Sequence, residues 1–562
     1  MSEWRFERES IRAFRFVRAE FDAVSGIARL VYAFDDGPEL VETIMFPGAP
    51  FMLDAGRSEA VQRALRLLHG IAGVSYYKAA VPALIVIEGE GIDADTAALL
   101  TEIYENGLGE FAYRNGLQLR GKIRFPCSDS PPPQPVRPSG AAFGRSSELE
   151  PVAHERPASP PASGGGSQAS HPEPLPNHPE PPLNHPEPLP NHPEPLLPPL
   201  AGEGWDGGKL AAKTGGSSAA PAQLLPLLAG EGWDGGKLAA TIGLRKHALV
   251  AIGGGKDSLV SIEALRAAGV EQTVAWIGSS PLIATCAART GLPTLNIERK
   301  LAPQLFEFNR QGAYNGHIPV TAINSAILVL AALLHGFDQV VFSNERSASY
   351  GSEILDDDGR VVAQVNHQWS KGWAFERAFG EHVERHVASD LHYYSLLRPL
   401  SELAVARQFA NTDRYDAYFS SCNRNFHILG ERPVNRWCGQ CPKCHFVFLA
   451  LAPFMPKPRL LNIFGRNLLD DAALAPGFDA LIEYRDHKPF ECVGEGREAR
   501  AVFAALTMRP AWREDALVTR FAQEIQPQLG ANQDSIAELL PPGGDHRIPS
   551  LLWEKLRAHF AA

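Results

Sequence analysis

The 562 residues exceed what one hydrophobic core usually organises, so two or three domains are expected, and an apolar fraction of 44% can fill their cores. A net charge of −11 excludes broad nucleic-acid or anionic-membrane binding as the main activity, while leaving room for a small anionic substrate held by a few local cations. The charged first ten residues carry no secretory core, and the longest apolar run, Ala326–Leu334, is too short to span a bilayer, so a cytoplasmic protein with no membrane partner is expected.

Residues 1–130 read as an α+β domain of their own, for which substrate binding is one open role. β-like runs (Ile27–Phe34, Glu42–Phe46, Ala83–Ile87) alternate with helical ones (Ser58–Gly70, Asp95–Gly107). Tyr76, Tyr77 and Lys78 read as packing with a snorkelling lysine. From 131 to 243 the composition turns to Pro, Gly, Ser, Ala and His. His-Pro-Glu-Pro recurs from His171, His178, His185 and His192, and a thirteen-residue segment at 200–212 returns verbatim at 228–240. This predicts a disordered repeat linker, a spacer rather than a histidine-rich metal tract or a docking motif on Trp205 and Trp233.

After the linker, strand-like runs (Ala248–Ile252, Thr273–Ile277, Thr294–Ile297, Gln339–Ser343) alternate with helical ones (Leu259–Ala268, Pro281–Thr290, Thr321–His335). That pattern predicts a doubly wound parallel α/β sheet in 244–450, with a mostly helical region in 451–562. The first of these strands runs into Gly253-Gly254-Gly255-Lys256-Asp257-Ser258 and a helix, which predicts a phosphate cradle at the carboxyl edge of the sheet. A Walker A loop is excluded, because Asp257 separates Lys256 from Ser258. In this cradle Gly254 and Gly255 admit the phosphates, Lys256 neutralises them, Ser258 donates a hydrogen bond, and Asp257 is a Mg²⁺ contact or a helix N-cap. Asn344, Glu345 and Arg346 follow a later strand and suit a second cation, a carboxylate or a local salt bridge.

His317 and Thr321 stand near the N-terminus of an apolar helix, where His317 is either a site residue or a satisfied loop histidine. Asn366, His367, Trp369 and Lys371 mix donors, a cation and rings, which suits binding of an anionic sugar nucleotide or peptide. Cys422, Cys438, Cys441 and Cys444 follow a Cys-x15-Cys-x2-Cys-x2-Cys pattern, expected to hold structural zinc. An iron–sulfur cluster, a free catalytic thiol or His445 in place of one thiolate stay open. An odd total of seven cysteines fits a reducing compartment. Near the C-terminal end, His487 and Cys492 stand among carboxylates and are candidate proton carriers.

The loop resembles the Ser-Gly-Gly-x-Asp-Ser signature of the ATP pyrophosphatase superfamily, with Gly253 replacing the first serine. Taken with Ser343–Ala348, Asn366–Trp373, Trp437–Phe446 and Lys488–Glu495, the chain outside the linker is similar to the epimerases that act on UDP-MurNAc-L-Ala-L-Glu. The thiol array also looks like that of 7-cyano-7-deazaguanine synthase, although the long gap after Cys422 departs from it. The resemblance implies an adenine-nucleotide α-hydrolase-like fold and inversion of the terminal L-Glu to D-Glu through a carboxyl adenylate. ATP and Mg²⁺ would be used, and AMP and pyrophosphate released, in peptidoglycan precursor synthesis that serves cell shape and division. The substrate would come from an L-Glu-adding muropeptide ligase. Two rivals remain: an amide- or nitrile-forming ligase of the same superfamily, distinguished by product mass, and a non-catalytic scaffold, distinguished by the absence of AMP formation.

Overall fold

Neighbouring residues on the central strands belong to different cores. In the strand Arg245–Ala251, Leu249 joins a core containing the helices Ala55–Ala72 and Val320–His335, whereas Ala248 and Val250 join a second core. That second core contains the helices Lys256–Ala267, Pro281–Thr290, Glu402–Ala410 and Pro442–Leu451. The apolar run Ala248–Val250 is thereby covered on both faces. The structure, a computed structural model, describes residues 4–127, 239–355, 361–426, 432–485, 488–530 and 533–561.

Among the described residues the strands are β1 (Ala13–Asp22), β2 (Ile27–Phe34), β3 (Leu40–Met45), β4 (Leu84–Ile87), β5 (Arg245–Ala251), β6 (Gln272–Ile277), β7 (Thr294–Lys300), β8 (Phe337–Phe342), β9 (Ser352–Leu355), β10 (Val361–Val365) and β11 (His392–Ser395). Strands β9 and β10 pair as a separate hairpin, and the other nine form one mixed sheet in the order β11-β8-β5-β6-β7-β3-β2-β1-β4. Every pair from β11 to β7 is parallel. Antiparallel pairing begins at the β3–β7 seam, where Ile44 stands opposite Arg299. There Arg299 donates to Glu42 at 2.8 Å and to Ser75 at 3.1 Å, with the charged side chains 2% and 0% exposed. Breaking such a buried pair from one side costs about 3–5 kcal/mol, so it pins the N-terminal strands to the rest of the sheet.

The helix Val320–His335 is buried on almost every face, because the sheet lies on one side of it and Ala55–Ala72 on the other. Its apolar run is the mark of a core helix, and no described helix is long and apolar enough to cross a membrane. The C-terminal part contributes Lys457–Phe464, Ala475–Leu481, Gly496–Thr507 and Ser550–Ala561 to the second core.

All of the repeats but the last two residues of the second copy lie within 128–238, outside the described residues. Residues 239–243, which composition groups with the linker, dock instead. Ala239 N–H donates to the Arg385 carbonyl at 2.7 Å, and the Asp390 carboxylate accepts from Ile242 and Leu244 N–H.

Candidate active site

The chain leaves β5 at Ala251 and turns through the three glycines into the helix Lys256–Ala267. Gly254 has φ +77°, and a Cβ there would lie 2.6 Å from Leu282 Cδ2; at Gly255 it would meet Ser421 Oγ at 2.8 Å. At Gly253 nothing lies within 4 Å of where a Cβ would stand. Gly255 is the N-cap and supplies no side-chain acceptor, so the helix start retains its anion-binding character. From behind, Ser420 N–H holds the Gly254 carbonyl at 2.9 Å.

Lys256 is 2% exposed and bonds through Nζ to Asp257 and Glu402. Burial pulls its ammonium down, but these two carboxylates hold it above the usual lysine range. Glu345 joins them, with one oxygen from each of Asp257, Glu345 and Glu402 within 4.8 Å of the others. Burial raises Glu402 well above the usual carboxylate range, and burial with Asp257 nearby raises Glu345. One ammonium against three carboxylates is a donor set that fits a hard divalent cation.

The loop opens on a cavity of about 810 Å³ at the carboxyl ends of β5, β6 and β8. Its far wall comes from four separate segments. The short helix Gly109–Arg114 supplies Glu110, the turn before Val320–His335 supplies His317, the stretch after β10 supplies His367 and Lys371, and residues 490–492 supply Cys492. His367 Nδ1 is hydrogen-bonded to Glu110, and the His317 ring centroid lies 4.1 Å from that of His367. Lys371 Nζ stands 3.2 Å from Cys492 Sγ, and His367 lines the same stretch of wall as that sulfur.

These contacts set the charges. Burial pushes the Cys492 thiol up, but Lys371, Lys443 and His367 together hold it well below the ordinary cysteine range. Burial pulls His367 down, yet its contacts with Cys492 and Glu110 bring it up to about 9. For His317, Glu110 only partly offsets burial and the His367 charge, and it falls to about 3. The cations around Cys492 thus favour its thiolate over its thiol, and the thiolate is the form in which sulfur is both a base and a nucleophile.

Behind the loop, the sulfur atoms of Cys422, Cys438, Cys441 and Cys444 lie within 4.8 Å of one another, with Cys438 to Cys444 at 3.7 Å and Cys441 to Cys444 at 3.4 Å. Metal–sulfur bonds of about 2.3 Å in a tetrahedron place thiolates about 3.8 Å apart, so the four fit one metal ion. Backbone N–H groups of Gln440 and Cys441 donate to Cys438 sulfur, and Gly439 makes the turn at φ +66°. The same knuckle delivers Lys443 and Phe446 to the cavity, while Ser420, Ser421 and Asn423 reach it beside Cys422.

The model of the MurL N-terminal domain matches residues 5–152 and 234–396, and that of the MurL C-terminal domain matches 418–536. A protein of Xanthomonas oryzae pv. oryzae named UDP-N-acetyl-alpha-D-muramoyl-L-alanyl-L-glutamate epimerase is 58% identical over 556 residues, 99% of each chain. The chain belongs to the MurL family. MurL relatives with the same printed name from Salinispora tropica and a Micromonospora strain are 34% identical, each over 96% of this chain and 94% and 96% of their own.

In this MurL chain the cavity gathers Gly253, Gly255, Lys256, Asp257, Ser258, His367, Lys371 and Cys492. His317, Thr321 and Asn344, also singled out in the sequence, line it too, whereas several other expectations are not met. Asn366 bonds to the Ala348 carbonyl and the Gln368 amide, and Trp369 packs on Phe375, so neither is among the cavity-lining residues; Gln368 and Ser370 are. Ser258 returns its hydroxyl to the Gly255 carbonyl at 3.2 Å, and the helix N-cap is Gly255 rather than Asp257. Arg346 reaches toward the Leu539 carbonyl instead of pairing with Glu345, and His445 stacks on Phe478 outside the thiol cluster. Lys78 does not snorkel. It is 4% exposed and donates at 2.8 Å to Asn315 of the cavity wall. His487 lies outside the described residues. Sequence reasoning missed Glu110, whose place four residues before Arg114 gives only the signal of an ordinary helix ion pair.

Proposed function

We propose that this chain inverts the terminal L-Glu of UDP-MurNAc-L-Ala-L-Glu to D-Glu in the cytoplasm, taking the product of an L-Glu-adding ligase. An ionised carboxylate makes the neighbouring α-proton very poorly acidic, because its removal would set a second negative charge beside the first. Transfer of AMP to that carboxylate removes the obstacle, and water later cleaves the adenylate.

The residues divide this work. The backbone of Gly253–Gly255 and the open helix start bind the phosphates of ATP in the manner of an ATP pyrophosphatase, while Asp257, Glu345 and Glu402 would hold Mg²⁺, which would supply positive charge against the pyrophosphate. Lys256 keeps the carboxylates together. Cys492, whose negative form Lys371 and His367 favour, exchanges the α-proton on one face. The four cysteines would hold zinc, which would brace the knuckle that brings Lys443 and the Ser420–Asn423 segment into the wall.

One observation carries the reading: the glycine loop and Cys492 open on the same cavity. Removing a proton carrier typically costs 10²–10⁴ in rate. Cys492→Ala should therefore lose about 10²–10⁴ of the epimerisation rate while still exchanging labelled pyrophosphate into ATP in the presence of the L-Glu muropeptide. Epimerisation at the wild-type rate would remove Cys492 from the reaction.

A further inference from the structure

Glu110 is 5% exposed, and its carboxylate bonds to Nδ1 of His367 as well as to Arg114 Nε at 2.5 Å. A carboxylate from the N-terminal part of the molecule and an imidazole thus meet in the cavity wall that also carries the Cys492 thiol. The short helix that carries Glu110 grips the Cys492 segment a second time. Arg114 Cζ lies 5.3 Å from the Phe490 ring centroid, and Tyr113 meets the same ring edge-on at 5.9 Å.

We propose that Glu110 is a positioning residue for the reaction, fixing the ring and charge of His367 so that the imidazolium faces the sulfur of Cys492. The proposal rests on Cys492 as the reacting thiol. It gives residues 1–127 a part in the chemistry that no motif within them announces. The logic is that of a buried acid behind a histidine: the carboxylate selects the ring orientation and makes the protonated ring less costly.

Other charges also face these groups. Lys371, Lys443 and Lys488 act on the sulfur, Glu345 and Asp257 act on Lys371, and Arg114 and His317 face Glu110. Changing Glu110 weakens one arm and leaves the three lysines, so the thiol should move upward by a limited amount.

The test is the pH profile of Cys492 alkylation by iodoacetamide in the full chain, read on the Cys492 peptide by mass spectrometry. Glu110→Gln is expected to raise its midpoint by about one pH unit, since loss of a neighbouring charge contact moves a titration by about 1–3. Glu110→Asp should restore part of the shift, while ATP–pyrophosphate exchange and zinc content stay at wild-type level and report an intact fold. Identical profiles in wild type and Glu110→Gln would overturn the proposal. So would a second stoichiometric metal ion that Glu110→Gln loses, because Glu110, His317 and His367 would then be its ligands. If the profile shifts as expected but Cys492→Ala still epimerises, the positioning chain stands and the assigned role of Cys492 falls.

Discussion

Lys256 illustrates how far a motif reaches at the scale of a residue. Its spacing in the loop predicts a cation over phosphates, and the spacing alone gives no sign of Glu402, 146 positions away, whose carboxylate holds its ammonium. Replacing Lys256 with Met leaves buried carboxylates unpaired, which costs about 3–5 kcal/mol. Two effects are then expected together, a lower melting temperature and loss of AMP formation. Adding Glu402→Gln should return much of the melting temperature without returning AMP formation, measured by calorimetry and nucleotide chromatography. Recovery of both would make the lysine a structural counter-ion only. Cys492 and His367 were legible because polar, ring and thiol groups crowd short stretches there. Glu110 and the burial of Lys78 were not, because each becomes chemically distinct only through a partner 257 or 237 positions away.

Among the elements, those with one clean period were readable. The helix Pro281–Thr290 and strand β2 lie where periodicity puts them, and β5, β6, β7 and β8 differ only at their ends. Strand β1 escaped notice for a physical reason: a register shift between Phe16 and Arg18 interrupts its alternation, so Phe14 and Phe16 keep one phase and Phe21 another. Three thiols of the knuckle are visible in their spacing, because tight Cys-x-x-Cys steps impose their own geometry; the fourth ligand stayed open between Cys422 and His445 until the fold brought the Cys422 sulfur into the group. The knuckle's place against the loop was not visible. Ser420 bonds to the Gly254 carbonyl, the Arg436 carbonyl and the Cys422 amide, which ties the knuckle to the glycines. Thiolate ligation contributes to folding, so Cys441→Ser should lower zinc content and melting temperature in parallel. The loss of activity should follow the lost metal rather than a changed pH profile. Elemental analysis that found neither zinc nor iron at stoichiometric level would return the four cysteines to the status of free thiols.

For the molecule as a whole, the reading of separate N-terminal and nucleotide-loop domains missed the seam at which β3 meets β7, because pairing between strands about 250 positions apart depends on which edges are left open. Through that seam residues 1–127 share one core with the helix Val320–His335 and bring Glu110 into the cavity. The match to the MurL N-terminal domain breaks at 152 and resumes at 234, around the repeats. Exchanging 131–238 for a Gly/Ser chain of sufficient reach should accordingly leave epimerisation nearly unchanged, whereas a large loss in a folded variant would give the repeats a part in binding. If an ATP-splitting loop and the Cys492 sulfur act on one glutamate, incubation of the protein with UDP-MurNAc-L-Ala-L-Glu, ATP and Mg²⁺, followed by hydrolysis and chiral analysis of the glutamate, should give D-Glu in a muropeptide of unchanged mass, formed only with ATP and accompanied by AMP. Glutamate that stays L, or D-Glu formed equally well without ATP, would overturn that mechanism.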